Sequence, residues 1–351
     1  MKIIPTITLN VSKKIDIYIE SGILASLTSI IDKYSKTNRV VLITDDNVKK
    51  LYTDKLAQDM VASGYDTHIL SIGEGEKSKN LDNVSSIYYE LNKLSFNRYD
   101  MIIAVGGGVV GDIAGFVAAT YMRGIAYIQV PTTLLAQIDS SIGGKTGVNL
   151  SSGKNLIGSI YQPKAIIIDP EVLSSLSINN MNDGLGEAIK YGMIADKTIL
   201  ELLKSGLNDN KLIDIISKCV KIKVDVVRAD EFEGGLRMIL NFGHTFGHAI
   251  EKCMNYIGIT HGQAVCIGMV YATKIGEKMG ITVQGTAKEL VNLLEQYNLP
   301  IENGIGKDII LNAIKSDKKM KNNSVNFVFI TDVEKPIIKA ICIEELEAYY
   351  E

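Results

Sequence analysis

Five short apolar runs that alternate with helical patterns constrain this chain more than any other feature. VVLIT (40–44), THILSI (67–72), MIIAV (101–105), AYIQV (126–130) and AIIID (165–169) are rich in β-branched residues. Helical patterns run from Val48 to about Ser63, from about Asn80 to Leu94, and from Val109 to Met122. Runs that are apolar throughout fit strands covered on both faces. Short buried strands interleaved with helices predict a parallel sheet with helices packed on it. Residues 3–20 read as two further strands joined by a turn.

After Pro170 the pattern changes. Helices are predicted around 184–194, 198–205, 210–229, 236–256, 262–279 and 285–298, and only NFVFI (326–330) and PIIKA (336–340) read as strands. The chain therefore reads as an α/β, Rossmann-like N-terminal domain over 1–175, followed by a helix-rich C-terminal domain over 176–351. No linker is rich enough in Pro or Gly to act as a loose tether, so a site is expected in the cleft between the domains.

Composition narrows the function class. A net charge of −3 argues against a dedicated nucleic-acid binder, which would be basic. The N-terminus MKIIPTITLN carries no long apolar run, so neither a signal peptide nor a membrane span is expected. Cys219, Cys253, Cys266 and Cys342 show no tight spacing and read as reduced, buried thiols of a cytosolic protein. Both a cytoplasmic enzyme and a binding protein fit these bounds.

Two glycine-rich segments point to phosphate-bearing ligands. VGGGVVGD (105–112) leaves a predicted strand and opens a helix, with G-x-G-x-x-G at Gly106, Gly108 and Gly111. Glycine allows a tight turn and lets a pyrophosphate approach the helix N-terminus, whose N–H groups and dipole favour anions. A tight βα turn with no ligand is the plainer alternative. The usual dinucleotide fingerprint places an acid about 20 residues downstream; here the available acid is Asp45, upstream at the end of an earlier run. In IDSSIGGKTGVNLSSGKNLIG (138–158), Gly144-Lys145-Thr146 imitates the end of a P-loop, but Asp139 stands where its first glycine belongs. What remains is a polar loop carrying Lys145, Lys154 and Asn155, suited to a phosphate or merely solvated.

Three of the four histidines fall between 244 and 261. His244 and His248 stand at i and i+4 in NFGHTFGHAIE, which puts their Cβ atoms about 5–6 Å apart on a helix. His261 opens the next predicted helix. Three ligands and an open position describe a catalytic zinc site, although H-E-x-x-H is absent because Thr245 replaces the glutamate. A carboxylate ligand could come from GLGEAIKYG, where Glu187 and Lys190 lie at i and i+3. Core or capping histidines and an exposed ion pair are the plainer alternatives. Glu233, Arg237 and Asn241 precede the histidines, and Lys223 lies upstream; two cations there could hold a carboxylate or phosphate.

Taken together, GGGVVGD, QVPTTLLAQIDSSIGGKTGVN, GKNLIG, GLGEAIKYG, DEFEGGLRMILNFGHTFGHAIE, HGQAVCIGM and DKK resemble the 3-dehydroquinate synthases, sugar-phosphate cyclases related to glycerol and iron-dependent alcohol dehydrogenases. The order and spacing of these segments carry the resemblance almost end to end. It implies a dehydroquinate synthase-like fold and a metal held by Glu187, His244 and His261, with His248 not a ligand but an acid–base group near the substrate. It implies NAD at Asp45, Asn47, Glu74, Gly75, Glu76, Lys79, Gly107, Gly108, Val109, Asp112, Thr132, Thr133, Lys145, Lys154, Val172 and Ser175. Substrate contacts are implied for Arg123, Asp139, Lys145, Asn155, Lys190, Lys223, Arg237, Asn241 and His248, plus Lys318 or Lys319. His248, Lys190, Asn155, Lys145 and Glu233 would serve catalysis. In relatives the arginine matching Arg123 reaches the neighbouring subunit's site, so a homodimer is implied.

The implied reaction turns 3-deoxy-arabino-heptulosonate 7-phosphate into 3-dehydroquinate. It proceeds by transient oxidation with NAD, phosphate loss, reduction and intramolecular aldol closure, aided by Zn2+ or Co2+. A metal-dependent polyol dehydrogenase would need neither a phosphate cradle nor a carboxylate clamp. A cyclase acting on glucose 6-phosphate would need no carboxylate clamp, and a non-catalytic NAD-binding protein would need no metal ligands.

Overall fold

The computed structural model describes residues 3–254, 258–315 and 324–350. The chain divides into two compact units: Met1–Leu176 with Lys223–Phe232, and Ser177–Ile222 with Glu233–Glu351.

The first unit is built on a seven-stranded sheet. In chain order it contains β1 (Ile7–Asn10), β2 (Lys14–Ile19), α1 (Leu27–Ile31), β3 (Arg39–Asp45), α2 (Asp46–Val48), α3 (Asp54–Ala62), β4 (Asp66–Ile72), α4 (Leu81–Lys93), β5 (Met101–Gly106), α5 (Gly108–Thr120), β6 (Ala126–Pro131), β7 (Lys145–Leu150), β8 (Gly153–Ile160) and β9 (Ala165–Ile168). A π-helical turn, Lys49–Thr53, joins α2 to α3. Strand order is β1-β2-β9-β6-β5-β3-β4. Only β1 pairs antiparallel, with β2; the other neighbours in this sheet are parallel.

The continuous apolar runs have a simple cause. Val40, Leu42, Ile103, Val105, Ile128 and Ile167 pack into one core with α1 and α3, while Val41, Ile43, Ile102, Ala104 and Tyr127 pack into another with α4 and α5. Successive side chains point to opposite faces and both faces are covered, so both sets of positions favour apolar residues.

The polar loop expected at 138–158 is in large part an antiparallel hairpin of β7 and β8, with a register shift between Val148 and Leu150. Its strands come so close at Gly147 and Gly158 that a Cβ there would lie 2.5 Å from Ile157 O and 2.3 Å from Thr146 O. Glycine and polar residues, which weaken a strand signal, are what this pairing uses.

The second unit contains α6 (Ile178–Ile194), α7 (Lys197–Lys204), most of α8 (Asp209–Ala229), α9 (His244–Cys253), α10 (His261–Lys278), α11 (Thr286–Gln296), α12 (Lys307–Lys315), a hairpin of β10 (Ser324–Ile330) and β11 (Pro336–Cys342), and α13 (Ile343–Tyr349). Its core joins Phe246 and Ile250 to Ile267, Ile275, Ile310, Phe327, Phe329 and Leu346. The end of α8 and the residues after it belong with the first unit, where Glu231 accepts from Ser12 N and Gln162 Nε2, both at 2.9 Å.

The helix expected over 236–256 is broken. Residues Leu236–Asn241 form a 3-10 turn, and Gly243 takes a left-handed φ of 80° before α9 starts at His244. A Cβ at Gly243 would also lie 2.7 Å from Val265 O, so glycine answers both the conformation and the close approach. Among the described residues, no helix is long and apolar enough to cross a membrane.

Candidate active site

In the sheet, β3 has β4 on one side and β5 on the other, while β5 continues to β6. Strand order therefore reverses between β3 and β5, and ligands of such sheets bind beyond the carboxyl ends of the strands at that point. Asp45 is the last residue of β3 and Gly106 the last of β5. Asn47 follows β3, Glu74, Gly75, Glu76 and Lys79 follow β4, Thr132 and Thr133 follow β6, and Val172 and Ser175 follow β9. Residues far apart in sequence thus gather at one edge of the sheet.

Asp45 caps α2 by accepting from Asn47 N and Val48 N at 3.0 and 2.9 Å. Helix α5 has no side-chain cap at Gly107, which leaves its first N–H groups for an anion. A Cβ at Gly107 would lie 3.0 Å from Thr133 Cγ2, and one at Gly108 would lie 3.0 Å from Ser140 Oγ. Thr132 Oγ1 and Ser140 Oγ are buried without a hydrogen-bond partner among the described residues. A polar ligand placed against this turn would find unsatisfied donors, so the cradle fits a dinucleotide.

Lys79, only 5% exposed, joins this edge to the β7–β8 hairpin. Its ammonium pairs with Asp112, near the N-terminal end of α5, and donates to Asn155 Oδ1 at 2.6 Å. Asn149 Nδ2 donates to Glu76 Oε1 at 2.7 Å, and Asn155 N donates to Asn149 Oδ1 at 2.8 Å. Burial raises the Asp112 carboxyl above the usual range, and the Lys79 charge works against that rise. Lys145 starts β7, Lys154 lies in β8, and Lys223 pairs with Asp139.

In the second unit, three helices bring three ligand-type side chains together. Glu187 lies in α6, His244 is the first residue of α9, and His261 is the first of α10. Glycines set the close approach. A Cβ at Gly262 would lie 2.1 Å from Asp183 O, and one at Gly268 would lie 2.0 Å from Gly243 O. Asp183 also accepts from Gly262 N.

As a result, Glu187 Oε1 lies 3.6 Å from His244 Nε2 and 3.9 Å from His261 Nε2. One ligand atom from each of the three lies within 4.8 Å of the others. Lys190 pairs with Glu187, and both are 1% exposed. A buried carboxylate facing two imidazoles is a donor set for a borderline divalent cation.

The two rings are held differently. His244 Nδ1 lies 3.2 Å from Phe242 O, and burial followed by the charges of Lys190, His261 and His248 keeps its pKa well below 6.5. Burial would also lower His261, but the Glu251 hydrogen bond and the charges of Glu251 and Glu187 push it up to about 9.

Family models described as 3-dehydroquinate synthase N-terminal and C-terminal match residues 69–183 and 184–320. A 3-dehydroquinate synthase of Clostridium acetobutylicum is 46% identical over 95% of this chain and 94% of its own length. The chain belongs to the 3-dehydroquinate synthase family. Among solved structures, a 2-deoxy-scyllo-inosose synthase complexed with carbaglucose-6-phosphate, NAD+ and Co2+ is 28% identical, with a TM-score of 0.88 over 98% of this chain and 99% of that one. The fold is shared with a 2-epi-5-epi-valiolone synthase of Streptomyces hygroscopicus with NAD+ and Zn2+ bound, at a TM-score of 0.88 and 23% identity over 98% of this chain and 97% of that one.

The remaining residues that the 3-dehydroquinate synthase motifs single out are spread over both units. Arg123, Asp139, Lys145, Asn155 and Lys223 lie in the first unit; Lys190, Glu233, Arg237, Asn241 and His248 lie in the second. Arg237 is 2% exposed. Asn241 Nδ2 donates to Glu233 Oε1 at 3.3 Å, and Glu233 has a left-handed φ of 60°. Arg123 lies just before β6, at the opposite edge of the sheet from Asp45 and Gly106. Six residues of strand separate those edges by about 20 Å. Lys318 and Lys319 fall outside the described residues.

Two residues of this 3-dehydroquinate synthase family member were not singled out by sequence. Glu251 meets His261 Nδ1 at 3.2 Å, and Asp183 holds Gly262. Glu251 stands three residues after His248 and seven after His244, which places it on their helix face. That spacing could have found it, whereas Asp183 had no comparable signal.

Proposed function

We propose that this chain is a 3-dehydroquinate synthase, converting 3-deoxy-arabino-heptulosonate 7-phosphate to 3-dehydroquinate and phosphate. The observation that carries this reading is the convergence of Glu187, His244 and His261 on one point, in a chain related to 3-dehydroquinate synthases over almost its full length. The first unit would bind NAD and the second the metal. Tyr52 OH donates to Val172 O and Ser175 Oγ at 2.9 and 2.7 Å, which fixes the turn after β9 at the edge proposed for the dinucleotide.

NAD at the carboxyl edge of the sheet would supply a reversible hydride acceptor at a substrate hydroxyl. Zn2+ or Co2+ held by Glu187, His244 and His261 would supply Lewis acidity to substrate oxygens. The chain's own side chains do the rest. Lys223 and Arg237 would hold the substrate carboxylate, Arg237 by a bidentate pair. Lys145 and Asn155 would neutralise and orient the phosphate as it leaves. His248 would move protons at the reacting carbons and oxygens, and Glu233 would accept one, steps that general acid–base catalysis typically accelerates by about 10²–10⁴-fold. Lys190, paired with Glu187, would orient substrate oxygens.

Arg123 would act in a neighbouring subunit of a homodimer, a role supported by its place at the far edge of its own sheet. No disulfide joins the described cysteines, of which Cys342 is exposed and Cys253 only partly buried rather than buried as expected; the absence of a disulfide supports a cytoplasmic enzyme. Parallel assays with the heptulosonate phosphate, glucose 6-phosphate and glycerol test the proposal. It expects turnover of the first alone; NADH accumulation with glycerol would instead identify a dehydrogenase.

A further inference from the structure

His261 stands between two carboxylates. Its Nε2 lies 3.9 Å from Glu187 Oε1, and its Nδ1 lies 3.2 Å from Glu251 Oε2. Glu251 is 3% exposed and sits on α9, which packs closely on α10 where a Cβ at Gly247 would lie 3.2 Å from Val265 N. An imidazole has two nitrogens, and its orientation depends on what the non-coordinating one bonds. For His244 that partner is the main-chain Phe242 O at 3.2 Å. For His261 it is a side chain, which substitution can remove.

We propose that Glu251 is a positioning residue for the metal site: by accepting the Nδ1–H of His261 it presents Nε2 to the cation shared with Glu187 and His244. This rests on the metal reading given above. A second arrangement competes with it, because single ligand atoms of His248, Glu251 and His261 also lie within 4.8 Å of one another. In that arrangement Glu251 would itself be a ligand. The hydrogen-bond distance between Glu251 and His261 Nδ1 favours the positioning role, since that nitrogen is then engaged and Nε2 is left for the metal. Outer carboxylates on ligating histidines typically raise metal affinity about 10–100-fold.

The test measures Co2+ affinity of the full chain by competition with a chromophoric chelator, together with the visible Co2+ spectrum and thermal unfolding. The variants are Glu251→Gln, Glu251→Leu, His248→Ala and His261→Ala. Glu251→Leu fills similar space without an acceptor and should weaken Co2+ by about 10–100-fold and change the spectrum. Glu251→Gln keeps an acceptor oxygen and should recover much of that loss, and His248→Ala should bind as the parent does. Parental affinity and spectrum in Glu251→Leu would overturn the proposal. So would equal losses in Glu251→Gln, Glu251→Leu and His248→Ala, which would make Glu251 a ligand of the competing set. Parental Co2+ binding by His261→Ala would instead refute the metal reading beneath it.

Discussion

Lys79 donates to Asn155 Oδ1 at 2.6 Å while pairing with Asp112. One buried ammonium thus ties the N-terminal part of α5, at the proposed NAD edge, to the hairpin residue proposed to meet the substrate phosphate. Lys79→Met should weaken both NAD and substrate. Charge-assisted hydrogen bonds contribute about 1.5–3 kcal/mol, so losses of roughly 10–150-fold are expected. Fluorescence titration with NAD and the KM for substrate check this; a loss confined to NAD would remove Asn155 from the network.

His248 and His261 should separate on metal retention. His248→Ala should keep the metal and lose rate, whereas His261→Ala should lose both. Metal content after gel filtration, read beside activity, decides. Equal metal loss in the two variants would move His248 into the ligand set.

Metal binding should release protons. With its pKa near 9, His261 carries a proton at pH 7.5 in the metal-free protein, and coordination requires the neutral ring. His244 is already neutral. Titration calorimetry in buffers of different ionisation enthalpy should find about one proton released per Zn2+. In the metal-free protein the raised pKa also stabilises the fold. That contribution is fully present below the ordinary value of 6.5 and is lost as pH rises through about 9. The Tm of metal-free protein should therefore fall across that window, and less so in His261→Ala.

Much of the sheet was legible because its strands are buried on both faces: all six residues of β5 are buried, and its sequence is apolar throughout. The β7–β8 hairpin was not. Its second strand has only partly buried and exposed residues, and its glycines serve backbone approach rather than apolar packing. The histidine helix was legible as a motif but not in its start, because the break at Gly243 depends on contact with Val265 in another helix. Spacing paired His244 with His248, whose rings are 5.5 Å apart. His244 and His261 are at 5.2 Å, a proximity created by packing of α9 on α10 that no local periodicity encodes.

Gly262 shows how far that packing matters. A methyl there would meet Asp183 O at 2.1 Å, so Gly262→Ala must separate α6 from α10. Overpacking of this kind costs about 1–3 kcal/mol, and it displaces His261 from Glu187. A Tm lowered by a few degrees together with weakened Zn2+ binding is expected. Parental values of both would contradict the helix approach described.

The central claim is a reaction that uses NAD without consuming it. NMR of the organic product, with phosphate and absorbance at the NADH band followed in the same sample, tests it most directly. With the heptulosonate phosphate, NAD and Zn2+ or Co2+, the account predicts one phosphate per 3-dehydroquinate, no accumulating NADH, and no turnover after exhaustive chelation. NADH accumulating without phosphate release, or turnover that survives chelation, would contradict it.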